Sequence, residues 1–249
     1  MGVSRRTLLT GALSSAAGYM LADIPVLARW PDEVPEGLIF FVGNSFTRQH
    51  DVPGLVCRIA RQAGVEAHCH RQTANGAKLI STIEVPGRLA QDWPGRIPAR
   101  VVLQDHSTVP LTAKARAEST QAMIAWDRHF QGTTLFETWP RRAGHPLYSQ
   151  SGMPTDPQQM AELTHAHYTK QASALHASLA PIAPAWIAAT AEGLDLYAVD
   201  GYHANLSGAW LCALLLARAL SVPDPFAATP PPGVSTRTHD VLTGIAAAT

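Results

Sequence analysis

Two short segments near opposite ends of the chain hold residue types that together can carry out nucleophilic chemistry. Gly43-Asn44-Ser45-Phe46-Thr47 follows the apolar run Leu38-Ile39-Phe40-Phe41-Val42, and Asp200-Gly201-Tyr202-His203 stands just ahead of an apolar helical stretch. A serine hydroxyl is a weak nucleophile at neutral pH and acts when a neighbouring imidazole takes its proton. A carboxylate behind that imidazole fixes its tautomer and stabilises the imidazolium as it forms. Ser45, His203 and Asp200 are therefore the parts of an acyl-transfer site. Each also has a plainer use: Ser45 as a helix cap after a strand, His203 as a surface histidine at a helix start, Asp200 as a cap or turn residue.

For these parts to meet, the elements around them must converge. Residues 38–42 read as a buried strand bounded by Gly37 and Gly43, so Ser45 falls where a strand ends and a helix begins. Residues 52–64 predict a helix ended by Gly64, 65–71 a second strand, and 99–104 a third whose Val101, Val102 and Leu103 suit burial on both faces. A helix at 114–130, a fourth strand at 133–138, a long helix at 157–179, a short fifth strand at 185–189 and a last helix at 206–220 follow. That β-α-β alternation predicts a parallel sheet with helices on both faces. Ligands of such sheets bind beyond the carboxyl ends of the strands, where Ser45 and Gln104 both fall. Residues 138–155, rich in Pro, Gly and Arg, predict a long surface loop. The prolines at 223, 225 and 230–232 predict an extended, loosely attached tail over 226–249.

Bulk properties narrow the class. The 249 residues fit one domain; net charge is zero, and no basic stripe points to nucleic acid. Ser4-Arg5-Arg6-Thr7-Leu8-Leu9 and the mild apolar stretch after it resemble a twin-arginine (Tat) export signal over residues 1–28, which is an address and not an anchor. That signal implies the Tat machinery as a partner and a periplasmic or secreted domain over 29–225. An uncleaved N-terminal membrane helix is the alternative, for which the stretch is short and insufficiently apolar. Three cysteines exclude a complete internal disulfide framework. One bridge, Cys57 with Cys69, is open to the chain, although small buried apolar side chains are the favoured reading of Cys57, Cys69 and Cys212 alike. His68 and His70 share a strand face, while His165 and His167 diverge on a helix. No metal-ligand spacing such as HExxH or paired cysteines occurs, so no metal is expected.

Four blocks carry a family resemblance: Gly43-Asn44-Ser45-Phe46-Thr47, Asn75-Gly76-Ala77-Lys78-Leu79, Val102-Leu103-Gln104-Asp105-His106-Ser107, and Asp200-Gly201-Tyr202-His203-Ala204-Asn205 leading to Gly208. Glu137-Thr138-Trp139 and Pro181-Ile182-Ala183-Pro184-Ala185-Trp186 add weaker support. Over residues 38–220 the chain resembles the SGNH (GDSL-like) hydrolases, in the bacterial branch with Gly-Asn-Ser-Phe in its first block and Leu-Gln in its third.

The resemblance implies a flavodoxin-like α/β fold, a three-layer α/β/α sandwich on about five parallel strands, and ester hydrolysis without a cofactor. It implies Ser45 as nucleophile, His203 as base and Asp200 as its orienting carboxylate. Oxyanion donors would be the N–H groups of Ser45 and Gly76 and the side-chain amide of Gln104. Better-known members carry Asn at that third position. Gln104 either donates there or bonds neighbouring backbone. Asn44 replaces the usual aspartate and is expected to support the nucleophile turn through local hydrogen bonds. Trp139, Arg141, Arg142 and His145 are candidates to shape the pocket, the alternative for the arginines being a solvated loop. The expected activity is an exported serine esterase acting on short acyl groups of carbohydrate or envelope esters. The alternatives are a catalytically silent glycan-binding relative and an acyltransferase using the same serine.

Overall fold

Six consecutive buried residues make β1 (Leu38–Gly43) an interior strand of a five-stranded sheet. The computed structural model describes residues 37–87 and 97–249, so the predicted export signal at 1–28 lies outside the described residues. β2 (His68–Thr73) flanks β1 on one side. β3 (Ile97–Leu103), β4 (Phe130–Phe136) and β5 (Ser178–Ala180) follow on the other, all parallel, in the order β2-β1-β3-β4-β5. The order reverses between β1 and β3, and the loops leaving those two strands open a crevice at their carboxyl ends.

Alternation along β1 sorts its side chains onto two faces. Ile39 and Phe41 join one core with α2 (Val52–Gln62), α5 (Ile182–Ala191), α6 (Leu206–Ala219) and α7 (Thr236–Ala248). Phe40 turns the other way, 5.8 Å from the ring of Trp126 on α3 (Ala113–Asp127) and 6.1 Å from Phe130. α4 (Pro157–Leu175) buries Met160 and Tyr168, and α3 buries Met123 and Trp126. The expected three-layer α/β/α sandwich is thus the observed one. α6 carries ten buried residues, and its Gly208 has no room for a Cβ against the Leu196 carbonyl and the Trp186 ring.

Five expectations change. Residues 185–189, expected as the fifth strand, lie inside α5, and the strand is the three-residue Ser178–Ala180 just before it. A short apolar run does not distinguish strand from helix by period, and Pro181 and Pro184 sit in the cap and first turn, where a helix tolerates them. Helix α4 accordingly stops at Leu175, with His176 left-handed at φ 52°. The tail after Ser235 is not extended: Ser235 accepts from the Thr238 N–H (3.1 Å) to start α7, and Leu242 and Ala246 are fully buried. The prolines mark only the connection to it. The 138–155 loop begins inside the molecule, Thr138 and Trp139 being buried. Finally, Cys57 on α2 and Cys69 on β2 form a disulfide across a Cα separation of 6.1 Å, while Cys212 stays free and buried.

Candidate active site

The nucleophile turn is built by side chains from three blocks. Asn44 caps α1 (Ser45–Arg48): its Oδ1 accepts from the Phe46 N–H at 3.0 Å, and its Nδ2 donates to the Ala77 carbonyl at 3.0 Å. Because Asn44 does the capping, the Ser45 hydroxyl is left for His203, whose Nε2 lies 2.8 Å away. Beneath the turn, Gln104 Oε1 accepts from the Asn44 N–H and the Thr47 hydroxyl, both at 2.9 Å. A Cβ at position 43 would collide with Thr47 and Gln104, so only glycine fits.

Asp200 serves two purposes with separate oxygens. Oδ1 accepts from the Tyr202 N–H (3.0 Å) and the His203 N–H (2.9 Å), fixing the turn; Oδ2 takes the His203 Nδ1–H at 2.7 Å. Gly201 supplies the left-handed residue this turn requires, at φ +73°. With Nδ1 donating to a carboxylate, Nε2 is the free acceptor facing Ser45. Burial pushes the Asp200 pKa up, but the His203 side-chain bond and the two N–H groups outweigh it and hold the carboxyl below its usual value. Trp139 packs under both segments, stacking on Phe46 (4.4 Å) and Trp186 (4.5 Å) and donating to the Tyr202 carbonyl (2.9 Å). Arg142 clamps the same loop, its N–H on the Gly201 carbonyl (2.8 Å) and its guanidinium on Asp195 (2.8 Å). His145 meets Tyr202 edge-on at 6.2 Å.

A cavity of about 340 Å³ opens over Ser45 and His203, with Gly76, His106, Arg48 and Arg141 also on its wall. Among the described residues the N–H groups of Ser45 and Gly76 donate to nothing, and Gly76 stands at φ +66°, presenting bare backbone. Gln104 is not on this wall. It is 1% exposed, and its amide N–H donates to the Asp105 carbonyl, so the reading of Gln104 as oxyanion donor is replaced by its alternative, a buried glutamine bonded to backbone. Its position at the end of β3 sets it under the nucleophile turn, and Oε1 is fixed there by the Asn44 N–H, which requires an acceptor.

His106 takes the wall position instead. Its Nδ1 accepts from the Thr108 N–H (3.3 Å) and meets the Thr108 hydroxyl (2.9 Å), which leaves Nε2 as the protonated nitrogen. Burial, followed by the charges of Arg141 and Lys78, lowers its pKa and favours this neutral form. Asp105 Oδ1 ties the second block to the third, accepting from the N–H groups of Leu79 (2.9 Å) and His106 (2.7 Å). Arg141 is buried, not solvated, and donates to Ser107 Oγ at 2.9 Å. A larger cavity of about 620 Å³ lies at the amino ends of the strands, around Leu38, Arg100 and Leu220, away from this chemistry. Among the described residues no group of three or more His, Cys, Asp or Glu could hold a metal ion.

No protein-family model matches the chain, and no curated protein is significantly similar to it. Solved structures do match. A protein of Slackia heliotrinireducens ascribed to the SGNH hydrolases is 26% identical, with a TM-score of 0.58 over 74% of this chain and 98% of its own. A DUF4886 family protein from Bacteroides uniformis is 16% identical, with a TM-score of 0.68 over 84% of this chain and 92% of its own. An acetyl xylan esterase from Geobacillus stearothermophilus is 12% identical, with a TM-score of 0.54 over 77% of this chain and 98% of its own. At these identities the last two speak to the fold alone. Sheet order, the likeness to the Slackia protein and the meeting of the sequence blocks at one sheet edge agree, and the chain belongs to the SGNH-like hydrolase superfamily.

Proposed function

We propose that this hydrolase is an exported serine esterase that cleaves carboxylic esters through an acyl-Ser45 intermediate. The observation that carries the reading is the continuous line Ser45 Oγ–His203 Nε2 (2.8 Å) and His203 Nδ1–Asp200 Oδ2 (2.7 Å). Ser45 Oγ attacks the ester carbonyl carbon as its proton passes to His203 Nε2. The tetrahedral oxyanion is met by the Ser45 and Gly76 N–H groups, with His106 Nε2–H as third donor. Collapse breaks the bond to the alcohol, which leaves with the proton from His203. A water then gives its proton to His203 and attacks the acyl carbon, and Ser45 departs with that proton as the acid is released. Asp200 remains ionised throughout and acts through the imidazole.

Short acyl groups on carbohydrate are the proposed substrate class, carried over from the activity named for an acetyl xylan esterase of the same fold. The twin arginines and the Cys57–Cys69 bridge support an oxidising compartment outside the cytoplasm. The test is labelling with a fluorophosphonate probe and assay on nitrophenyl esters of increasing acyl length. Wild type should be labelled and active; Ser45→Ala should be unlabelled, and His203→Ala should lose roughly 10³-fold or more in kcat. A folded wild type that takes no probe and cleaves no ester ends the proposal.

A further inference from the structure

The chain has no net charge, yet among the described residues the cavity over Ser45 is lined by two arginines, Arg48 and Arg141, and by no Asp or Glu. Arg141 is the unusual one. It is 7% exposed, and its Nη2 donates to Ser107 Oγ at 2.9 Å. Its guanidinium carbon lies 4.3 Å from the centre of the Tyr202 ring, and its Nε is buried without a hydrogen-bond partner. Among the described residues it forms no ion pair. The carboxylate acting on it, Asp200, is engaged on His203. Arg142, its neighbour in sequence, shows the ordinary structural solution: a half-exposed guanidinium paired with Asp195 at 2.8 Å.

A guanidinium keeps its charge when buried, and burying a charge without a partner is costly. Stacking on Tyr202 and one hydroxyl offset part of that cost. An anion in the cavity would recover the remainder. Exposed Arg48, held by Asn75 Oδ1 at 2.9 Å, adds a second positive charge on the same wall. A concave site lined by one sign of charge raises the local concentration of the opposite sign.

We infer that Arg141 is a specificity residue that binds a carboxylate carried by the ester substrate, with Arg48 assisting its entry. The inference deepens the esterase reading and rests on it. It selects esters of acidic sugars, or esters whose acyl chain ends in a carboxylate, over neutral analogues.

Two substrate pairs place the charge on either side of the scissile bond. Nitrophenyl hydrogen glutarate against nitrophenyl butyrate puts it in the acyl part. An O-acetylated methyl glucuronoside against its methyl ester puts it in the alcohol part. In one of the pairs, wild-type kcat/KM should favour the charged member by about tenfold or more, the scale of a charge-assisted hydrogen bond. That ratio should fall towards one in Arg141→Met and fall partway in Arg141→Lys, which keeps the charge and loses the fork. A wild-type ratio at or below one in both pairs overturns the inference, as does a ratio unchanged in both variants.

Binding supplies a readout independent of turnover. Calorimetric titration of Ser45→Ala with sodium glutarate and sodium glucuronate at low salt should show saturable binding of one of them. Adding Arg141→Lys should weaken that binding and Arg141→Met abolish it. Sodium phosphate is the comparison anion, and preference for it over both carboxylates overturns the assignment. Carboxylate binding in a protein inert on every ester retains the anion site and removes the esterase. Hydrolysis without charge preference does the reverse.

Discussion

Gln104 does not hold the wall position expected of it, and His106 does. The glutamine carbonyl supports the nucleophile turn from below, while the imidazole two residues on stands on the cavity wall. Gln104→Ala would leave the buried Asn44 N–H unpaired, at a cost of about 1–3 kcal/mol, visible as a lower unfolding free energy. His106→Ala should leave stability close to wild type and lower kcat by about 10²-fold, the usual loss for one oxyanion donor, with KM little changed. His106→Asn, which restores an N–H, should recover part of it. If Gln104→Ala reduces kcat without reducing stability and His106→Ala reduces neither, the donor is Gln104 after all. Ser45, Asp200 and His203 were legible together because each depends on local context, a strand end and a carboxylate three residues ahead of an imidazole, whereas Gly76 was reached through the family resemblance. Arg141 was less legible because its direction is set by partners distant in sequence, Ser107 and Tyr202. His106 is oriented locally by Thr108, but the cavity it faces is formed by segments distant in sequence, around Ser45 and Tyr202-His203.

Among the elements, those with a strong period or continuous burial were readable: β1, β3, α2 and α6 differ from expectation only at their ends. β5 has three residues and no period to read; what locates it is pairing with β4 at Thr134, Leu135 and Phe136, a property of two segments together. Helix α4 shows a cost of burial that sequence conceals. His167 is 5% exposed, and its Nε2 has no hydrogen-bond partner. Burial, then the charges of Arg116 and Lys170, depress its pKa from 6.5 to about 4. Between those values the unfolded chain binds this proton and the folded chain does not, so stability falls as pH drops through the window. Completed below the folded pKa, the loss is roughly 2–4 kcal/mol. His167→Gln should flatten that part of the curve. Urea unfolding of both proteins at several pH values from 7 to 4 measures it, and equal slopes would remove His167 as the cause.

At the scale of the molecule, the disulfide joins an edge strand to the helical layer. Among the described residues β2 pairs with β1 alone and none of its residues is buried, so its attachment depends on that ladder, on Cys69–Cys57 to α2 and on the Arg71–Asp51 ion pair. Closing this short loop should contribute about 2–4 kcal/mol, lost on reduction or in Cys69→Ser and read as a lower urea midpoint. The same bond reports on compartment. Such bridges persist where the milieu is oxidising, and the cytoplasm keeps thiols reduced. Protein recovered outside the cytoplasm, denatured without reductant, should therefore titrate one thiol, Cys212, of the three cysteines. Changing Arg5 and Arg6 together to Lys should hold the chain in the cytoplasm, where all three titrate. Three thiols in exported wild type would rule out the bridge. One thiol, normal processing and export of the double-lysine variant would leave the bridge in place and rule out the twin-arginine route.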